Sequence, residues 1–171
     1  MLGMDLAEME SACLGGGLPP AAEEQIRLAG KFYHQYDLAH DYLARAQQLA
    51  PGHLAVLIGF YRFYFYQNRL SEAREVAQQC LHHAARALGL ATDWRDIQPG
   101  DADFSQWDSV LPRFYLFTLK GYGYLSLRLG DMETGESIIA KLRELDPLDR
   151  LGGSTLSNVL ARIGHDDYAD D

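Results

Sequence analysis

Outside a stretch near residues 90–108, apolar and polar positions recur at the spacing of helices separated by short breaks. The spacing predicts helices over about 22–33, 36–49, 52–67, 71–88, 109–129, 131–145 and 151–163, paired through short turns. Pro51 and Pro147 close two of them, Gly89 and Gly130 mark two further ends, and Asp131 stands where an N-cap belongs. Pro112 falls in a first turn, where proline is tolerated. The stretch 57–66 breaks the amphipathic pattern. Six of its last seven residues are aromatic and Arg62 is its only charge, so as a helix it is apolar nearly all round and needs neighbours on most sides.

At 171 residues with 47% apolar content, the chain can bury a sizeable core. No run of 18 apolar residues is present, which predicts no membrane span. Residues 1–20 lack a basic start and an apolar run, which predicts no secretory signal. Cys13 and Cys80 do not make a disulfide framework, and a reducing, cytoplasmic setting follows. The net charge is −9, with four aspartates after His165 and five between 91 and 108. The remaining body is nearly neutral and has no basic stripe, which argues against nucleic acid as a partner.

The expected organisation is an N-terminal segment 1–21 ending in a Gly/Pro linker, a helical domain over 22–163 with an insertion loop at about 90–108, and an acidic, disordered tail at 164–171. Leu2, Leu6, Met9 and Cys13 lie at helical spacing and predict a short amphipathic helix over residues 1–14. Gly15–Gly17 lacks the Gly-Lys-Ser/Thr ending of a phosphate loop. No metalloprotease, nucleophile-elbow or dinucleotide motif occurs. Cys80 and His83 share a helix face but lack further ligands, so neither a metal nor a cofactor is expected.

Residues 120–147 resemble a tetratricopeptide repeat. Gly123 and Gly135 take the small positions, Gly130-Asp131 the turn, and Leu145-Asp146-Pro147 the closing motif. An earlier unit places Ala73, Cys80 and Leu81 on packing positions, and one before it places Tyr36, Ala39, Ala46 and Leu49-Ala50-Pro51. These two lie one period, about 34 residues, apart, and the third is displaced by about 28 more. Tyr61 departs from the pattern by standing on a small position. The resemblance implies an all-α superhelix of three antiparallel helix pairs, with an insertion between the second and third and a C-terminal capping helix.

In that family the first helix of each pair lines a concave groove that binds a segment of another protein, without catalysis. Carried over, the lining is Leu28, Lys31 and Phe32 in the first repeat; Ala55, Ile58, Arg62, Phe65 and Tyr66 in the second; and Phe117, Lys120, Tyr124, Leu127 and Arg128 in the third. Such a groove is basic and aromatic, and suits an acidic and apolar segment of an adaptor's or assembly factor's partner. Glu24 and Leu28 occupy the places of the lysine–asparagine clamp for chaperone tails, so that ligand is not expected. Trp94, Phe104 and Trp107 in the insertion, among five aspartates, leave two readings open: a loop that docks its tryptophans on the nearest helix pair, or one that folds into the groove as an internal stand-in for the ligand.

Size, acidity, three repeats and Met9-Glu10-Ser11 before the glycine run also resemble bacterial type III secretion chaperones for translocators. That resemblance implies a homodimer through the N-terminal segment. A reading from another class is a small-molecule or enzyme pocket among Tyr61, Tyr64, Tyr122 and Tyr124, whose hydroxyls would need partners if buried.

Overall fold

A computed structural model describes residues 17–106 and 109–169, with side chains of the last helix described to residue 164. The described residues are all-α: seven α-helices, one 3-10 turn and no strand. They fall into two compact units, 17–83 and 84–169, where the sequence suggested one domain over 22–163. No helix among the described residues is long and apolar enough to cross a membrane.

The first unit opens with α1, Pro20–Lys31, whose first-turn proline carries no N–H to leave unsatisfied. Helix α2, Tyr36–Leu49, stops ahead of Pro51. Helix α3, Leu54–Tyr66, is the aromatic stretch. His53 caps it, its Nδ1 accepting from the Ala55 N–H at 3.1 Å. Asn68, at φ 57°, ends it, and the Arg69 N–H reaches back to the Tyr64 carbonyl at 2.8 Å. Helix α4, Leu70–Leu88, begins immediately after, and its residues 84–88 belong to the second unit.

Helix α1 packs along α2, and both touch α3. Alanines 22, 29, 39 and 46 are buried at these contacts, and a Cβ on Gly59 would stand 3.0 Å from Leu43 Cδ2. Small side chains thus let the helices approach. Rings fill the wider spaces: Tyr36 lies 5.0 Å from Phe63, and His40 meets Phe60 edge-on at 5.9 Å. The Tyr64 hydroxyl shares a 3.3 Å hydrogen bond with His40 Nε2, and burial, with Tyr36 adding to it, pushes that phenol above its ordinary pKa.

The second unit contains α5, Val110–Arg128; α6, Met132–Leu145; and α7, Ser154–Ala169. Asp131 caps α6 as expected, accepting from the Thr134 N–H at 3.2 Å. Asp149 precedes α7 and accepts from Ser154 Oγ at 2.6 Å; this bond holds its carboxyl below the ordinary carboxylate pKa. The helix runs to Ala169, so 164–169 continue it where a disordered tail was expected beyond residue 163.

Helices α5 and α6 pair closely, and α7 packs on both. The two glycines of the repeat motif sit at the tightest points. A Cβ on Gly123 would stand 2.8 Å from Ile138 Cγ2, and one on Gly135 would overlap the Leu127 side chain.

The insertion is part of this unit's core. It carries the 3-10 turn Trp94–Asp96, and Trp94, Ile97 and Phe104 are buried. Lys141 of α6, itself buried, donates Nζ to the Ile97 carbonyl at 2.8 Å, and Arg150 donates to the Ser105 carbonyl at 2.6 Å. Phe104 packs beside Tyr115 at 6.5 Å. Trp94 and Phe104 therefore do not form a ligand-like flap; their apolar area is spent on folding. Trp107 and the N-terminal helix expected over residues 1–14 lie outside the described residues.

Candidate functional site

A groove of about 410 Å³ opens on the first unit. Ile26, Ala29, Gly30 and Tyr33 of α1 and the segment after it form one wall; Gly59, Arg62, Phe63 and Tyr66 of α3 form the other, with Leu43 at the floor. Both walls follow the i, i+3, i+4, i+7 rule that puts side chains on one helix face. Gly30 and Gly59 keep the groove open where larger residues would fill it; around a Cβ on Gly30 nothing lies within 4 Å.

Tyr33 and Tyr66 stand at the rim, 54% and 58% exposed, with ring centroids 6.5 Å apart. These exposures decide the character of the site, since rings so exposed contribute little to the core and offer area to a ligand. The Gln67 side-chain amide donates to the Tyr33 carbonyl, tying the end of α3 to the turn after α1. Arg62 is the only charged residue in the lining.

Of the residues expected from the repeat pattern, Arg62 and Tyr66 line this groove and the others do not. Ile58 is only 4% exposed and belongs to the core, as does Ala55. Phe65 turns toward Tyr61, 6.1 Å away. On α1 the groove face is one helical step from the one expected: Phe32 stacks on Tyr42 of α2, and Lys31 lies over the Phe32 ring at 5.4 Å. Leu28 is not in the lining either.

The second unit departs further. Phe117 is 6% exposed, Lys120 3% and Leu127 1%, because α6, α7 and the turn before α7 cover that part of α5. Lys120 Nζ donates to the Leu151 carbonyl at 2.8 Å. Burial holds its amine below the ordinary lysine pKa, opposed by Asp149 and Asp146 nearby. Tyr124 and Arg128 engage each other, Arg128 donating to the Tyr124 hydroxyl at 2.7 Å. The α1/α3 groove is thus apolar and aromatic with one cation, and less basic than the pattern implied.

Tyr33, Gly30 and Phe63 escaped the sequence reading. Their signal was present in the spacing Ile26–Ala29/Gly30–Tyr33, but the same spacing also describes a buried face. Among the described residues no group of three His, Cys, Asp or Glu side chains could hold a metal. Cys80 is buried and in no disulfide, and the His83 ring lies 3.6 Å from where a Cβ on Gly52 would stand. The four tyrosines proposed as a pocket fall two in each unit; Tyr64 pairs with His40, Tyr124 with Arg128, and none lines the groove.

These features define an all-α protein built of closely packed helix pairs, with an aromatic-rimmed groove between alternate helices of its first unit. No protein-family model matches the chain, and no solved structure matches it. It is 40% identical over 159 residues to the "Uncharacterized 19.8 kDa protein in nifW 5′ region" of Azotobacter chroococcum mcd 1, covering 92% of this chain and 89% of that protein. The chain belongs to the same family as that protein.

Proposed function

We propose that the chain is a non-catalytic, tetratricopeptide-like interaction module. Its α1/α3 groove binds an acidic and apolar segment of a partner protein, in the manner of an adaptor or assembly factor. The observation that carries this reading is the convergence of exposed Tyr33 and Tyr66 with Arg62 on one open, apolar-floored groove. Rigid rings supply contact area at small entropic cost, and the guanidinium supplies one carboxylate partner. The tight contacts at Gly123 and Gly135 support the repeat reading, since the repeat uses small residues there for the same purpose. A reducing cytoplasm suits a buried cysteine that is in no disulfide.

Random-peptide display against the purified full chain tests the proposal. Peptides rich in acidic and large apolar residues are expected. Arg62→Ala with Tyr66→Ala should lose them while the melting temperature stays within about 2 °C, since neither residue is in the core. Selection of the same peptides by the double variant would overturn the assignment. The relative is a protein of the nifW 5′ region, so the products of that neighbourhood are the first natural partners to try.

A further inference from the structure

The chain carries a segment with the chemistry this groove asks for. Residues 1–16 include Asp5, Glu8 and Glu10 and no lysine, arginine or histidine. Leu2, Leu6, Met9 and Cys13 fall on one stripe of a helix, and Asp5 and Glu10 flank that stripe on either side. We propose that the groove between α1 and α3 is the docking site of the chain's own residues 2–13, held in cis as an amphipathic helix. Its apolar stripe meets the floor and rings of the groove, and a flanking carboxylate meets Arg62.

Three observations bear on this. The first is charge: the groove's one charged liner is an arginine, and the segment's charged side chains are all acidic. The second is size. A helix over residues 2–13 is about 18 Å long, and the α1 wall from Ile26 to Tyr33 rises about 10 Å, so the segment spans the groove. The third is connection. The segment enters α1 itself, one wall of the groove. Ile26 lies about 9 Å along α1 from Pro20, and the six residues 14–19 reach up to about 20 Å. Gly17 has a left-handed φ of 78°, a conformation that suits a turn between the segment and α1.

The inference shares the partner reading's groove but has its own consequence: a partner segment must displace residues 2–13 before it binds. The insertion cannot play this part, because Trp94 and Phe104 are buried in the second unit.

The test is paramagnetic relaxation in the full-length protein. A nitroxide is attached at Ser11→Cys in a Cys13→Ser background; Cys80, 2% exposed, stays unlabelled. Residue 11 is on the helix face opposite the apolar stripe, so the label does not block docking. The amide signals of Gly30 and Gly59 should lose most of their intensity, and Arg62→Glu should restore it. Unchanged signals in the labelled protein would overturn the proposal. So would broadening that appears when labelled unenriched protein is mixed with unlabelled enriched protein, which would assign the groove to a second copy. In either case, peptides selected by wild type and lost in the Arg62/Tyr66 variant would leave the partner reading standing. Conversely, docking in cis with no peptide selected even by a full-length Leu6→Asp, Met9→Asp variant, whose segment no longer docks, would overturn that reading alone.

Discussion

Lys120 is a buried cation whose ammonium gives one hydrogen bond to a main-chain carbonyl, that of Leu151, with Asp146 and Asp149 near enough to favour its charge. Lys120→Met removes the donor and leaves the carbonyl of a buried residue unsatisfied, at a cost of about 1–3 kcal/mol near neutral pH. The folded pKa is lowered from the ordinary 10.5, so between the two values the unfolded chain binds more protons than the folded one. Wild-type stability therefore rises with pH across that window, and the deficit of the methionine variant should widen there. Urea titrations of both proteins from neutral pH to about pH 10 measure it; a deficit that narrows would contradict the burial. The repeat pattern placed Lys120 on an open surface because a position within one repeat carries no information about what the next element covers.

At the scale of elements, packing depends on where glycine stands and why. Gly135 in α6 faces Leu127 of α5 at a distance that admits no Cβ, and Leu127 is itself enclosed. Gly135→Ala should cost about 1–3 kcal/mol through overpacking, although alanine favours helix. Gly30 in α1 faces open groove, so Gly30→Ala should stabilise by roughly 0.5–1 kcal/mol from propensity alone. Thermal denaturation of the two variants gives opposite signs; equal signs would mean that the α5–α6 approach is misjudged. Helix starts and stops were readable because they rest on local chemistry: the Asp131 cap, the prolines at 51 and 147, and the positive φ of Gly89 and Gly130. The insertion was legible only as unusual. Trp94 and Phe104 marked it as more than a linker, but that they fill the second unit's core depends on Lys141 and Tyr115, distant in sequence.

For the whole molecule, the net charge of −9 and the single arginine of the groove set the character of binding. With Arg62 its one charged liner, attraction at the α1/α3 groove is mainly apolar. Raising salt from about 0.05 to about 0.5 M should weaken a selected peptide by no more than about fivefold, since one exposed ion pair is worth roughly 0.2–1 kcal/mol. Fluorescence anisotropy with the labelled peptide measures this; a loss of tenfold or more would point to a basic site elsewhere. The sequence by itself determined the all-α class, nearly every helix boundary and the placement of Arg62 and Tyr66 on one helix, because capping, proline and 3.6-residue periodicity act within a few residues. Only the tertiary structure decided which aromatic residues of α3 face the core and which face the groove. A helix that is apolar all round has no preferred inner face until its neighbours α1 and α2 supply one.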